Sequence, residues 1–116
     1  MENETCIFCQ IIAGKAKAEL YYQDDLVTAF RDIRPVAPVH VLIVPNEHIS
    51  SVNQLQADHR EIVGQLLIVA GELAKKFNID QSGYRIIINT GKHGGQEINH
   101  LHAHLLGGHK MRFPVG

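Results

Sequence analysis

The run His100-Leu101-His102-Ala103-His104-Leu105-Leu106 constrains the backbone more tightly than any other part of the chain. On a helix the three imidazoles would fan out over about 200° and could not converge. On a strand they share one face, while Leu101, Ala103 and Leu105 share the other. The segment therefore asks for a sheet with a core on one side and a cleft on the other. Eight of the 116 residues are histidine, the one side chain whose ordinary pKa lies near neutrality. Clustered imidazoles oppose one another's protonation, which keeps at least one neutral and nucleophilic near pH 7. That favours covalent catalysis by an imidazole. Two other readings stand beside it. The histidines could be solvated on an edge strand, or they could chelate a catalytic metal. The metal reading is weakened because the nearest acid, Glu97, precedes the cluster and nothing acidic follows it.

The rest of the chain supplies a sheet for this strand. Cys6 to Gly14 has apolar residues at helical spacing and a terminal glycine, which predicts one to two turns of helix. Glu19 to Gln23 and Leu26 to Arg31 read as a hairpin around Asp24-Asp25. Arg34-Pro35-Val36-Ala37-Pro38 must be loop, since proline lacks the ladder donor. It leads into His40 to Val44, a strand apolar enough to be buried on both faces. Asp58 and Glu61 suggest a capping box for the one long helix, whose apolar stripe is Ile62, Leu66, Ala70, Leu73 and Phe77. Val63, Leu67 and Ala74 widen the stripe beyond what a small sheet covers, which suggests a homodimer. Tyr84 to Asn89 and His100 to Leu106 are the last two strands, joined by the glycine-bearing stretch Thr90 to Asn99. The expected fold is α+β: a five-stranded, mainly antiparallel sheet with one long and one short helix, in a single domain over residues 1–116.

Composition excludes several classes of function. A net charge of -1, with eleven scattered Lys and Arg, does not suit a protein that tracks a nucleic-acid backbone. No apolar run is long enough to span a membrane, and the acidic start Met1-Glu2-Asn3-Glu4-Thr5 does not resemble a secretory signal, so the expected location is cytoplasmic. In a reducing compartment Cys6 and Cys9 point to metal binding or packing, not to a disulfide framework.

The His-x-His-x-His run followed by two apolar residues resembles the signature of the histidine-triad superfamily of nucleotide hydrolases and transferases. Similarity to its histidine-triad nucleotide-binding branch of nucleoside phosphoramidases covers nearly the whole chain. It takes in Ile7-Phe8, Tyr22-Gln23-Asp24-Asp25, Ala29 to Ile33, the proline loop to His40, Asn89, Gly94-Gly95-Gln96-Glu97, Leu106-Gly107-Gly108 and the aromatic-proline tail at Phe113-Pro114. Asn99 stands where an aromatic residue is expected, and Glu97 where many relatives have serine.

The resemblance implies hydrolysis of adenosine or guanosine 5′-phosphoramidates at the phosphorus–nitrogen bond. His102 is the implied nucleophile, His104 a donor to the phosphoryl oxygens, and His40 with His100 the residues that orient the triad. It further implies that Asp32 grips the ribose and that Ile7, Phe8, Ile11, Phe30 and Ile33 form a slot for the purine. Asn89, Gly95, Gln96 and Glu97 would line the phosphate and leaving-group side, with Ala103 beside the triad. No cofactor is required for this chemistry. Cys6, Cys9, His48 and His100 match a Cys₂His₂ structural zinc site of the kind some histidine-triad proteins resemble. The implied partners are a purine nucleotide and a second copy of the chain, whose active site the Phe113 tail would flank. A dinucleoside-polyphosphate hydrolase and a non-catalytic nucleotide-binding dimer are the alternatives.

Overall fold

A computed structural model describes residues 5–115; the acidic start at residues 1–4 and the final Gly116 lie outside the described residues. Helix α1 spans Ile7–Ile12. Strands β1 (Leu20–Gln23) and β2 (Val27–Arg31) form the expected hairpin, and β3 spans Val39–Pro45. Helix α2 runs from Arg60 to Lys76, followed by β4 (Tyr84–Ile87) and β5 (Ala103–Gly107). All four strand pairings are antiparallel, in the spatial order β1-β2-β3-β5-β4.

Asp24 closes the hairpin. Its Oδ1 accepts from the N–H groups of Leu26 and Val27 at 2.7 and 2.8 Å, and its Oδ2 from Tyr22 Oη and Gln65 Nε2, both at 2.8 Å. Burial alone would raise its pKa. The donors at Val27, Tyr22, Leu26 and Gln65 outweigh that and hold the carboxyl at about 2.

Alternation along the strands sorts side chains onto two faces. Val27, Ala29, Val41, Ile43, Ala103 and Leu105 pack against Leu66, Val69, Ala70, Leu73 and Ala74 of α2. Phe30, Leu42 and Val44 face the other way, where α1 lays Phe8, Cys9 and Ile11 over them. The strand β3 is buried on both faces, as its composition predicts.

Three local expectations need correction. The last strand begins at Ala103, so His100 and His102 approach it as irregular backbone. The long helix is entered through a 3₁₀ turn at Ala57–His59, with His59 Nδ1 accepting from Gln56 N–H at 3.0 Å; Asp58 lies within that turn and Glu61 in the first turn of α2, so they do not form the box. Of the residues that widen the helix stripe, Ala74 is core, Val63 is half-buried and Leu67 is exposed together with Ile68.

Candidate active site

The β3/β5 register sets His40 opposite Leu106 and Leu42 opposite His104, so the two histidines are diagonal neighbours on one face. His40 Nε2 lies 2.9 Å from His104 Nδ1 and 3.3 Å from Asp32 Oδ2, while His40 Nδ1 accepts from Val36 N–H at 3.1 Å. In a neutral ring an accepting Nδ1 leaves the proton on Nε2. His40 therefore donates to His104 Nδ1, and His104 in turn must carry its proton on Nε2. His102 has the same tautomer problem solved from the other side. Its Nδ1 donates to the His100 carbonyl at 2.7 Å, which leaves Nε2 as a bare lone pair in the neutral ring. The chain thus sets a donor nitrogen on His104 beside a nucleophilic nitrogen on His102, with ring centroids 5.0 Å apart.

Burial keeps His40 and His104 neutral. Burial lowers the His40 pKa against the opposing pull of Asp32. Burial, then the His102 and His40 rings, push His104 down to about 4. At neutral pH both are uncharged, as the tautomer chain requires.

A cleft of about 520 Å³ opens over these rings, large enough for a nucleotide. Ile7, Phe8, Ile11, Phe30, Asp32, Ile33, Asn89, Gly95, Glu97, His40, His102 and His104 all line it. Phe8 stands edge-on to both Phe30 and His102, with centroids 5.4 and 5.1 Å away. Asp32 Oδ1 accepts from Arg34 N–H at 2.8 Å, which orients the carboxylate and leaves lone pairs for hydroxyl groups.

Two residues expected at the nucleotide, and one expected to orient the triad, do not line the cleft. The Ala103 side chain is fully buried in the α2 core, because its place in the strand alternation sends it there. Gln96 holds a loop together, donating to Ser50 O and Ile98 O at 2.8 and 3.0 Å and accepting from Gly91 N–H at 3.0 Å. The third is His100. Its ring is fully buried outside the cleft, so it does not join His40; what it presents to His102 is its main-chain carbonyl. The glycine loop is also more self-contained than a phosphate cradle, since the N–H groups of Gly95 and Gln96 donate to Lys92 O and Gly91 O. Gly94 is required there because a Cβ would collide with the Thr90 backbone. Asn89 Nδ2 donates to Gly94 O at 2.7 Å and steadies the rim. Sequence reasoning missed Lys17, Arg34, Leu42, Ile87, Ile98 and Leu106 as lining residues. Leu42 and Leu106 were within reach of the strand alternation, as partners of His104 and His40 across the ladder.

Behind the cleft lies a second cluster. His100 Nε2 donates to Pro45 O at 2.9 Å, which leaves Nδ1 bare. That nitrogen is 3.2 Å from Cys6 Sγ, 3.5 Å from Cys9 Sγ and 3.1 Å from His48 Nδ1, and Cys9 Sγ is 3.3 Å from His48 Nδ1. Tetrahedral zinc with bonds of ~2.0–2.3 Å separates its ligands by roughly 3.3–3.8 Å. The four donors fit that ion with small adjustments. The trio Asp32, His40 and His104 also converges, and the tautomer chain already accounts for it.

The tail turns away after Gly108, whose φ of 101° suits glycine. Arg85 Nη2 of β4 donates to Phe113 O at 2.8 Å, so within the chain the tail lies against its own sheet. A groove lined by Arg85, Met111 and Phe113 shares Val36, Ile87 and Leu106 with the cleft.

Known proteins place this arrangement. The chain is 50% identical over 111 residues to the purine nucleoside phosphoramidase of Escherichia coli K12, covering 96% of this chain and 92% of that one. Its fold matches a HIT family hydrolase from Legionella pneumophila with a TM-score of 0.93 and 43% identity, over 96% of this chain and 99% of that one. It matches a histidine triad protein from Clostridium difficile with a TM-score of 0.94 and 42% identity, over 97% and 98% of the two chains. The HIT domain family model spans residues 13–111, taking in every strand of the sheet and all three histidines of the triad, and the chain belongs to that family.

Proposed function

We propose that the chain is a purine nucleoside phosphoramidase that cleaves the phosphorus–nitrogen bond through His102. The observation that carries this is the tautomer arrangement: His102 Nδ1 donating to the His100 carbonyl, Nε2 bare, in a cleft of nucleotide size. The half-identical E. coli enzyme of that name supports the substrate class.

In this reading the purine lies between Ile7, Phe8, Ile11, Phe30 and Ile33, and Asp32 takes the ribose hydroxyls. His102 Nε2 attacks the α-phosphorus; a His–phosphorus bond forms as the phosphorus–nitrogen bond breaks, and the amine departs with a proton taken from solvent water. Attack makes the His102 ring cationic, and the carbonyl at Nδ1 stabilises that charge. The Nε2–H of His104 faces the charge on the phosphoryl oxygens. Water then displaces His102 and releases the nucleoside monophosphate. Because the nucleophile is an imidazole, no metal-bound water is needed. Cys6, Cys9, His48 and His100 hold zinc in a structural role. Exposed Leu67 and Ile68 on α2, with Tyr84 on the edge strand β4, support a homodimer. The reduced thiols of Cys6 and Cys9 suit a cytoplasmic setting.

The test is turnover of a fluorogenic adenosine phosphoramidate against a dinucleoside tetraphosphate. Preference for the phosphoramidate, with a base-stable nucleotidyl adduct caught on rapid quench, is the expected result. Preference for the tetraphosphate would reassign the substrate, and AMP binding without turnover of either would leave a nucleotide-binding dimer.

A further inference from the structure

The cleft carries a cation at its outer end that the phosphoryl chemistry does not use. Lys17 lines it together with Ile11, Ala18 and Phe30. Resting on the reading of that cleft as a purine site, we propose that Lys17 is a specificity-determining residue: its ammonium meets O6 and N7 of the base, so that the chain favours guanosine and other 6-oxopurine nucleotides over adenosine.

The place of Lys17 is the first support. Leu20, Phe30, Leu42 and His104 are successive register partners across β1, β2, β3 and β5, so the β1 edge lies three strand spacings, ~14 Å, from His104. Lys17 shortly precedes β1 in the chain and enters the cleft from that edge. A nucleotide with its phosphorus at His102 and its ribose at Asp32 sends the purine in this direction. The ribose is joined at N9, and the side of the base remote from it carries the 6-substituent, with N7 alongside. A second support is that the backbone under Lys17 is fixed while its side chain is free. The N–H groups of Lys15 and Ala16 donate to Gln10 O at 2.8 and 3.2 Å, and Arg31 N–H donates to Glu19 O at 3.0 Å. Ala16 and Ala18 pack against the α1 cluster, but Lys17 is exposed, so its flexible stem can carry the ammonium onto a base edge. The last support is chemical. An ammonium offers three donors and no acceptor. Guanine presents O6 and N7, two acceptors side by side, whereas adenine presents N7 beside an amino donor. One base takes two hydrogen bonds and the other sets donor against donor. The apolar walls at Phe8, Ile11 and Phe30 do not distinguish the two. Arg34, the other cation of the cleft, is tied through its N–H to Asp32 and stands on the ribose side.

The experiment measures kcat and KM for guanosine, inosine and adenosine 5′-phosphoramidates of one amine, with calorimetric GMP and AMP affinities. The proteins are the parent, Lys17→Met, Lys17→Arg and Arg34→Gln. In the parent, guanosine and inosine, which share O6 and N7, should exceed adenosine by about fivefold in kcat/KM, the difference lying in KM, and GMP should bind about fivefold more tightly than AMP. Lys17→Met should erase both preferences and Lys17→Arg should keep them. Arg34→Gln should keep them too, although it removes an equal charge. Equal values for the three bases in the parent, a preference for adenosine, or a loss in Lys17→Met that is the same for all three overturns the role of Lys17. Guanosine favoured over inosine, with Lys17→Met like the parent, assigns selection to the 2-amino group and overturns it as well. The affinities separate this from the proposed activity. A GMP preference that Lys17→Met erases, without turnover of any phosphoramidate, keeps the base contact and overturns the phosphoramidase alone. Binding of neither nucleotide overturns both.

Discussion

The two faces of one sheet are built from alternate residues of the same strands, yet they are held by different physics. On the α2 side, Val41, Ile43, Ala103 and Leu105 meet a helix through apolar contact alone. That face gains from area removed from water and tolerates any partner of similar volume. On the α1 side, Leu42 and Val44 share the surface with His40, His102 and His104, each of which needs its ring nitrogens assigned. A buried ring in the wrong tautomer faces a donor with a donor. So this face is specified by a hydrogen bond from Val36 N–H and by the acceptor oxygens of Asp32 and the His100 carbonyl, and it has little freedom to repack.

The contrast can be broken most sharply at His102. His102→Ala should lower kcat by roughly 10⁴ while leaving the melting temperature close to the parent's and AMP binding intact. Steady-state kinetics beside calorimetry would check it, and near-parental turnover would remove the imidazole face from catalysis. The opposite face should respond in the opposite way. Leu66→Ala should cost about 2–5 kcal/mol of stability in denaturant titrations, with kcat per folded molecule nearly unchanged.

Acid sharpens the comparison further. His104 sits at about 4 in the fold against an ordinary 6.5, so between those values the unfolded chain binds the proton and the folded chain does not. Its contribution to stability is complete above about pH 6.5 and is lost as pH falls toward 4. Asp24, at about 2 against 3.8, acts only below that window. The melting temperature should therefore drop from pH 7 to pH 5 in the parent and drop less in His104→Gln. Equal slopes would show that His104 does not set the acid response.

The smallest effect is expected at the tail, beside the cleft. Deleting residues 111–116 removes the Phe113 carbonyl that Arg85 holds. The deletion should change kcat/KM by a few-fold, unevenly across phosphoramidates of small and bulky amines. A uniform change across that series would mean that the tail does not touch the leaving-group side.

Much of this was legible along the chain, because it depends on period. The spacing of two correctly separated His102 and His104 from the core residues Ala103 and Leu105, though not His100, and the composition of β3 correctly marked it as buried on both faces. Asp24-Asp25 marked the hairpin, since short carboxylates accept from their own turn. Less legible were the ends of elements. The strand was expected from His100, but ladder bonding begins only at Ala103. The entry to α2 depends on Gln56 and His59, a pair with no strong local preference.

By itself the sequence determined the fold class, the face on which each strand residue lies and the imidazole-rich character of one side, because these follow from periodicity and burial preference within a few neighbouring residues. Only the tertiary structure decided which histidine meets which. His40 and His104 are 64 positions apart and His48 and His100 are 52 apart. Their pairing depends on β5 inserting beside β3 and on α1 closing over the far end of that ladder. The three imidazoles that look equivalent along the chain thereby part company: His102 and His104 enter the cleft, and His100 turns its ring to the cysteines and leaves its carbonyl with His102.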